Sequence, residues 1–567
     1  MKWKRIERLA GLRDLIATEQ SLTELRRHAD PAVAAEATAR LVRLMLDLKL
    51  VDQAEQLCND LLLLPGSTRL ADGTTATAFV EDLRKSGAIA AESSRPARLD
   101  WSREELSVSR MGANYSNSLT QDVPAVASRL PFFRDHRLQV PHEDQRLEVV
   151  DAATERLDWS IPLRSRANAQ DNGLVTAEAM GHAVVLLHRG VLHGVSPVEK
   201  SIRWSFPLDG HAGGGQVYYN YQFNASVPPM QSSLRFSNTL AQKQQMSQSG
   251  SPLSHVTGRY ICCQGRRGLT VYDSVTGQVM WTHDGLRPGT QICGDDDVLY
   301  VRTADQQKSL ALRSIDGQSI EMPKLHEWLN SAVHVIGRCF VFADGAGPKS
   351  KPALRLFDPL TNKDVWNGVE LPSGTLMALQ CGLKLALLDS KAGNFRRVDL
   401  RSGREVQLGT VASDDLNIKN RQEVFALADY DRVYLVINGP RQAGAFYSDG
   451  LSSIRVSGKI VAFDPRAGKQ VWSQAVSSQN LLLERFDHVP LLVFAARNHT
   501  KIGNHHLWTL NLVALDKQTG AKLLDANAPA QNGFRSLIVN MSDRFVELRG
   551  YGERVRLQAT KSVVSNP

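Results

Sequence analysis

The sequence predicts a mainly β protein of stacked repeats behind a small α-helical region. Three observations carry this. From about residue 136 onward, Gly, Asp and Asn punctuate short apolar runs of Val, Leu, Tyr and Phe, the pattern of strands and turns. Within that stretch one short phrase ending in tryptophan keeps returning. Ahead of it, residues 1–90 carry apolar stripes at helical spacing.

The helical region has a legible start. Asp30-Pro31 pairs a capping residue with proline at the first helical position. Ala34, Ala37, Leu41, Leu44 and Leu48 follow on one face. Asp52 is expected to cap a second helix with Ala54, Leu57 and Leu61 inward, stopped by Leu64-Pro65-Gly66. Two antiparallel helices with a short connection resemble a tetratricopeptide-type (TPR-like) hairpin, although the aromatic pattern of that repeat is missing. Residues 91–135 are polar, lack sustained periodicity and read as a linker.

The repeat decides the rest. VVDAATERLDW, VYDSVTGQVMW, LFDPLTNKDVW and AFDPRAGKQVW align without gaps and end at Trp159, Trp281, Trp366 and Trp472. In each, an aspartate (Asp151, Asp273, Asp358, Asp464) stands eight residues before the tryptophan. Weaker copies put Ser196 before Trp204, Arg313 before Gly317, Asp399 before Gly403, and Asp516 before Gly520. The residue ahead of this slot is always apolar: Val150, Val195, Tyr272, Leu312, Phe357, Val398, Phe463 and Leu515. That marks the inward end of a strand. Aspartate then opens a tight turn by accepting backbone N–H bonds two or three residues on. Glycine four positions later (Gly277, Gly317, Gly403, Gly468, Gly520) supplies positive φ. One such hairpin cannot bury both faces, so copies must stack. The slots at 151, 196, 273, 313, 358, 399, 464 and 516 lie 40–52 residues apart, except for gaps of 77 and 65 that hold insertions. A period of about 40–45 suits a four-stranded propeller blade. Eight copies predict eight blades, or seven if one weak copy belongs to an insertion. A strand pair near 543–558 is expected to close the ring.

Asp-x-x-Thr-Gly with tryptophan four residues after the glycine resembles the repeat of the pyrroloquinoline-quinone-like (PQQ-like) β-propellers. The resemblance spans residues 136–562, and the layout is similar to bacterial, planctomycete-type proteins that join helical repeats to such a propeller. It implies that Trp159, Trp204, Trp281, Trp366 and Trp472 dock between neighbouring blades, each indole N–H bonding the next blade. The family holds quinone-dependent alcohol and sugar dehydrogenases and also cofactor-free propellers, among them the lipoprotein of the outer-membrane β-barrel assembly machinery.

The dehydrogenase reading finds few residues. Cys262-Cys263 invites comparison with the vicinal disulfide that family alcohol dehydrogenases place over their quinone. In GRYICCQGRRGLTVYD, however, the pair lies on a strand, where one side chain enters the core and the other faces out. No stretch matches the family's calcium set, catalytic aspartate or stacking tryptophan. Asp295-Asp296-Asp297 reads as a hairpin turn and His505-His506 as a solvated loop. No nucleophile elbow, phosphate loop or zinc-protease motif occurs. The expectation is no catalytic, cofactor or metal residues, with PQQ and calcium entering only under the alternative of a divergent quinoprotein dehydrogenase.

Composition sets outer limits. Lys plus Arg exceed Asp plus Glu by 67 − 59 = 8, spread along 567 residues, so no basic stripe marks nucleic acid as a partner. Arg266-Arg267 and Arg396-Arg397 read as turn residues. No apolar run is long enough to span a membrane. The charged amino terminus lacks a secretory signal, which predicts a cytoplasmic protein, or a periplasmic or envelope one if the chain is part of a longer exported protein. Six cysteines without zinc spacing leave the compartment open. Two insertions, a strand-like run from Val217 to Val227 followed by a Gln/Ser-rich loop, and a 438–458 loop with Phe446 and Tyr447, are candidate grips for a partner. The expected function is a non-catalytic scaffold or protein-interaction module in cell-envelope assembly or sensing.

Overall fold

In the computed structural model the described residues run 2–89, 105–112, 120–122, 132–164, 175–208, 253–439, 451–529 and 534–560, with short breaks inside several of these ranges. They fall into two compact units. The first comprises Met1–Ala97, Ser118–Tyr219 and Met246–His326, and the second Arg98–Asn117, Asn220–Gln245 and Glu327–Pro567. Both insertion candidates, Val217–Val227 and Phe446-Tyr447, lie outside the described residues. Among the described residues no helix is long and apolar enough to cross a membrane.

The first unit opens with five helices, where two were expected: α1 (Lys2–Gly11), α2 (Leu15–Leu25), α3 (Pro31–Asp47), α4 (Val51–Leu62) and α5 (Ala76–Lys85). Asp30 caps α3 by accepting from Ala32 N at 2.9 Å. The α4 helix begins one residue before Asp52, and the Leu50 carbonyl takes the Ala54 N–H. The predicted stripe on α3 is widened by Ala35, Thr38, Ala39, Val42 and Met45, because α3 packs against both α2 and α4. The α2 helix turns polar side chains onto the neighbouring sheets. Asp14 at its cap pairs with Arg203 at 3.0 Å, Glu19 with His182 at 2.9 Å, and Gln20 accepts from Ser274 Oγ at 3.1 Å.

Four antiparallel four-stranded sheets follow in the first unit. They are β2 (Thr120–Asp122) to β5 (Leu157–Pro162) through β3 (His136–Pro141) and β4 (Arg146–Asp151); β6 (Val175–Met180), β7 (Ala183–His188), β8 (Val191–Ser196), β9 (Ser201–Pro207); β10 (Leu253–Val256), β11 (Tyr260–Gln264), β12 (Gly268–Asp273), β13 (Val279–Asp284); and β14 (Gln291–Gly294), β15 (Val298–Arg302), β16 (Ser309–Arg313), β17 (Ser319–Ile320). Each is a meander in sequence order, the topology of a propeller blade. A core lies between each successive pair, such as Cys262, Val271, Leu299 and Leu312 between the third and fourth.

In the second unit, α6 (Leu325–Ser331) leads to β18 (His334–Ile336), β19 (Cys339–Asp344), β20 (Ala353–Asp358), β21 (Lys363–Glu370), and then to β22 (Thr375–Gln380), β23 (Lys384–Asp389), β24 (Asn394–Asp399), β25 (Glu405–Thr410). A seven-stranded sheet joins β26 (Val424–Ala428), β27 (Val433–Asn438), β28 (Ser453–Asp464), β29 (Lys469–Leu482), β30 (Leu491–Ile502), β31 (His505–Asp516) and β32 (Lys522–Pro529). The far end of the long β29 pairs with β30 through Asn480 and Leu481, so one strand links two repeat copies. The last sheet orders β33 (Phe534–Asn540), β34 (Phe545–Gly550), β35 (Glu553–Thr560) and then β1 (Glu105–Gly112).

That last sheet corrects the reading of 91–135 as linker. Residues 105–112 form β1, with Glu105 opposite Thr560, and Leu106 enters the core with Leu548, Val555 and Leu557. The expected closing pair near 543–558 is therefore completed by a strand from far upstream. The eight-blade count, taken from turns, leaves this sheet out, because its fourth strand arrives without a turn from its third.

Candidate functional site

Seven of the eight repeat slots lie at the connection from a sheet's third strand to its fourth, and Asp516 lies at the connection from the sixth strand to the seventh of the seven-stranded sheet. The apolar residues before them are buried in every copy. At Asp273 one carboxylate oxygen accepts Val275 N and Thr276 N at 2.9 and 3.0 Å, and Gly277 N returns to the Asp273 carbonyl at 2.8 Å. Asp399, Asp464 and Asp516 repeat this with the amides two and three residues on, and Gly403, Gly468 and Gly520 close the turn. Asp358 bonds Leu360 N, and Asp151 bonds Thr154 N. The second oxygen of three slots takes an arginine: Arg259 on Asp273, Arg338 on Asp358 and Arg432 on Asp464, at 3.1–3.3 Å. At Asp464 burial opposes ionisation. The Ala467 and Arg466 amides and the Arg432 charge outweigh it and hold the carboxyl below its ordinary value.

The tryptophans meet these turns from the preceding repeat copy. Trp204 Nε1 donates to Ser274 O, Trp281 to Ser314 O, Trp366 to Leu400 O and Trp472 to Lys517 O, at 2.8–3.1 Å. Each acceptor is the residue directly after a slot. Each ring also covers the next turn's glycine. A Cβ on Gly277, Gly317, Gly403 or Gly520 would sit 2.6–2.8 Å from the indole of Trp204, Trp281, Trp366 or Trp472. Glycine is thus required there twice over, by positive φ and by the ring above it. A β-bulge sets each ring. Trp281 faces Val271 while Val279 faces Tyr272, leaving Met280 unopposed, and the same shift recurs beside Trp159, Trp204, Trp366 and Trp472.

Trp159 is placed differently. Its Nε1 is buried without a hydrogen-bond partner among the described residues, and the next turn carries Lys200 at positive φ where five other turns have glycine. Asn362 stands at positive φ in the Asp358 turn, and Gly468 lies against the Gln407 carbonyl.

Several residues singled out for chemistry have structural roles. Cys262 and Cys263 are free and both buried, on opposite faces of β11. Both faces of that strand meet a core, so the expectation that one faces out is corrected. Burial pushes both thiols up. Asp295 makes the β14–β15 hairpin turn, accepting Asp297 N at 2.9 Å, while Asp296 accepts Arg259 N at 2.9 Å. His505 and His506 start β31 opposite Ile502 and Lys501, where a loop was expected. Arg396 and Arg397 lie inside β24, not in a turn, and Arg396 pairs with Glu405. Arg266-Arg267 are outside the described residues.

Two buried ion clusters escaped sequence reasoning. Lys517, one residue past the Asp516 slot, pairs with fully buried Asp429 at 3.2 Å, donates to Phe486 O, and stands 4.0 Å from the Phe486 ring centre. Tyr434 OH donates to the same Asp429 carboxylate at 3.0 Å. Glu547 is bound by Arg549 and Arg556 at 2.6 and 2.7 Å. Desolvation works against its charge, but the two guanidiniums win and hold its carboxyl below the usual range.

Three buried histidines titrate low. Desolvation brings His188, His193 and His334 to about 4, aided at His188 by Arg189 and at His193 by His188. A folded pKa below the unfolded value means the unfolded chain binds more protons between about 4 and 6.5. Their stability contribution is therefore complete above pH 6.5 and is lost as pH falls toward 4. Glu178, raised to about 7 by desolvation, acts in the opposite sense and offsets part of it. Urea midpoints are expected to drop steadily from pH 6.5 to 4.5, by up to ~1.4 kcal/mol per pH unit for each uncompensated histidine. A flat profile would show that these rings are not held neutral. Among the described residues no three His, Cys, Asp or Glu side chains gather as metal ligands.

Residues 113–321 match the sequence family described as outer membrane protein assembly factor BamB. No curated protein matches the chain. Among solved structures, BamB from Moraxella catarrhalis is 15% identical, with 67% of this chain and 95% of that one covered and a TM-score of 0.24. Quinohemoprotein alcohol dehydrogenase ADHIIG from Pseudomonas putida HK5 is 11% identical over 83% of this chain and 79% of that one, TM-score 0.29. The WD40 domain of SCAP from fission yeast is 10% identical over 83% and 97%, TM-score 0.30.

Proposed function

We propose that the chain is a non-catalytic propeller protein that works as a scaffold binding other proteins, with cell-envelope assembly as its setting and no bound quinone or calcium. The observation that carries this is the employment of its recurrent carboxylates. One oxygen of each slot aspartate serves its own turn, and in three slots the other serves an arginine. Nothing in that arrangement offers an open acid, base or ligand set. The cysteines that invited a quinone site face two separate cores as free thiols. The match of residues 113–321 to an assembly-factor family supports the same reading. The α1–α5 region, with its TPR-like hairpins, is read as a second contact module.

The test is reconstitution. The chain is incubated with pyrroloquinoline quinone and Ca²⁺, and dye-linked oxidation of ethanol and glucose is followed. The expected rate equals that of quinone and calcium without protein. Turnover that a chelator abolishes and calcium restores would establish the dehydrogenase instead.

A further inference from the structure

The α2 helix meets the sheets through polar groups. Asp14 Oδ1 accepts from both terminal nitrogens of Arg203 on β9, at 3.0 and 3.1 Å. Further along the helix, the Glu19 carboxylate accepts the His182 amide at 3.3 Å and the His182 ring Nδ1 at 2.9 Å. It rests directly on the β6–β7 turn, since a Cβ on Gly181 would sit 2.5 Å from Glu19 Oε1. Gln20 Oε1 accepts from Ser274 Oγ in the β12–β13 turn at 3.1 Å. Glu19, Gln20, His182 and Ser274 are all buried.

The helices keep a core of their own, where Leu22 and Leu25 of α2 join Leu41, Val42, Leu57 and Leu61. The cores between the first four sheets contain no residue of it. A separate core on each side, with charge pairs across the seam, is the anatomy of an interface whose two sides move relative to each other. The seam is also incompletely satisfied. Gln20 Nε2 and His182 Nε2 are buried in it with no hydrogen-bond partner among the described residues. Water would satisfy both once the seam parts, so opening recovers part of what it loses.

We propose that α2 is a latch: the helical region leaves the sheets as a folded body and uncovers a surface that it otherwise occupies. That surface consists of hydrogen-bond donors, namely the Arg203 guanidinium, the His182 amide and ring, and the Ser274 hydroxyl. Its chemistry fits carboxylates, and α2 supplies two of them from within the chain. The contact is autoinhibitory in form, because an acidic segment of another protein reaches those donors only after α2 has left them. Release itself needs no partner and is independent of the scaffold reading.

Ser274→Cys keeps the carbonyl to which Trp204 donates and puts a thiol beneath Gln20. The full-length variant is treated with fluorescein maleimide, too large to enter the closed seam, and labelling at each cysteine is read by peptide mass spectrometry. Cys58 in the helical core and Cys263 in a sheet core, both buried, report unfolding on either side. The introduced thiol is expected to react at least tenfold faster than Cys58 and Cys263. Adding Arg203→Glu, which sets a carboxylate against Asp14 and Glu199, should speed it at least tenfold again while Cys58 and Cys263 stay as slow as before. An introduced thiol no faster than those two, no acceleration by Arg203→Glu, or a rise shared by all three thiols would each overturn the proposal, because the helices would then leave only when the chain unfolds or not at all. The scaffold reading falls separately, on quinone-dependent turnover.

Discussion

Replacing Trp281 with alanine should lower the stability of the chain by about 3–5 kcal/mol. The indole is 9% exposed, packs with Leu299 and Leu312, bonds Ser314 O and roofs Gly317. Its loss leaves a cavity between two sheets and an unsatisfied carbonyl. For Trp159→Ala the hydrogen-bond part of the loss is absent, because its Nε1 makes none among the described residues. The two variants should therefore differ by roughly 1 kcal/mol or more, with Trp281→Ala the worse. Urea unfolding of both against wild type checks this. Equal midpoints for Trp281→Ala and wild type would remove the indole from the packing between sheets.

Lys517→Met is expected to cost about 3–5 kcal/mol, since it strands the fully buried Asp429 charge. The variant keeps the backbone carbonyl that Trp472 uses, so the effect reports the ion pair and not the indole bond. Adding Asp429→Asn should recover much of the loss, because the amide carries no charge and its oxygen still accepts the Asp431 and Arg432 amides. The check is the urea midpoint of the single and double variants. A single variant as stable as wild type would mean that solvent reaches Asp429.

What the sequence displays is what lies close along it. The slot aspartate, its turn amides, the glycine and the tryptophan fall within nine residues, so their spacing survives every insertion. The β1–β35 pairing was hidden because Glu105 and Thr560 are far apart in the chain and β1 is short. Arg259, Arg338 and Arg432 act alike on their aspartates but stand 14, 20 and 32 residues ahead of them, so gapless alignment cannot register them. The bulge beside each tryptophan is a backbone irregularity with no residue signature. For Cys262-Cys263, strand alternation predicts opposite faces, yet only the neighbouring sheets determine that both faces are core. Nothing local distinguishes Lys517 from an exposed turn lysine, as the burial comes from Phe486 in the β29–β30 connection and Tyr434 on β27.

Indole and turn act as one interlock between successive repeat copies, and a double-mutant cycle between Trp281 and Gly317 measures that directly. With the indole present, Gly317→Ala must bear both a left-handed backbone, φ +69, and a methyl 2.6 Å from the ring. In a Trp281→Ala background only the backbone strain remains, of order 1–3 kcal/mol. The predicted coupling energy from urea unfolding of the four proteins exceeds about 1 kcal/mol. Additive losses, with coupling indistinguishable from zero, would contradict the interlock.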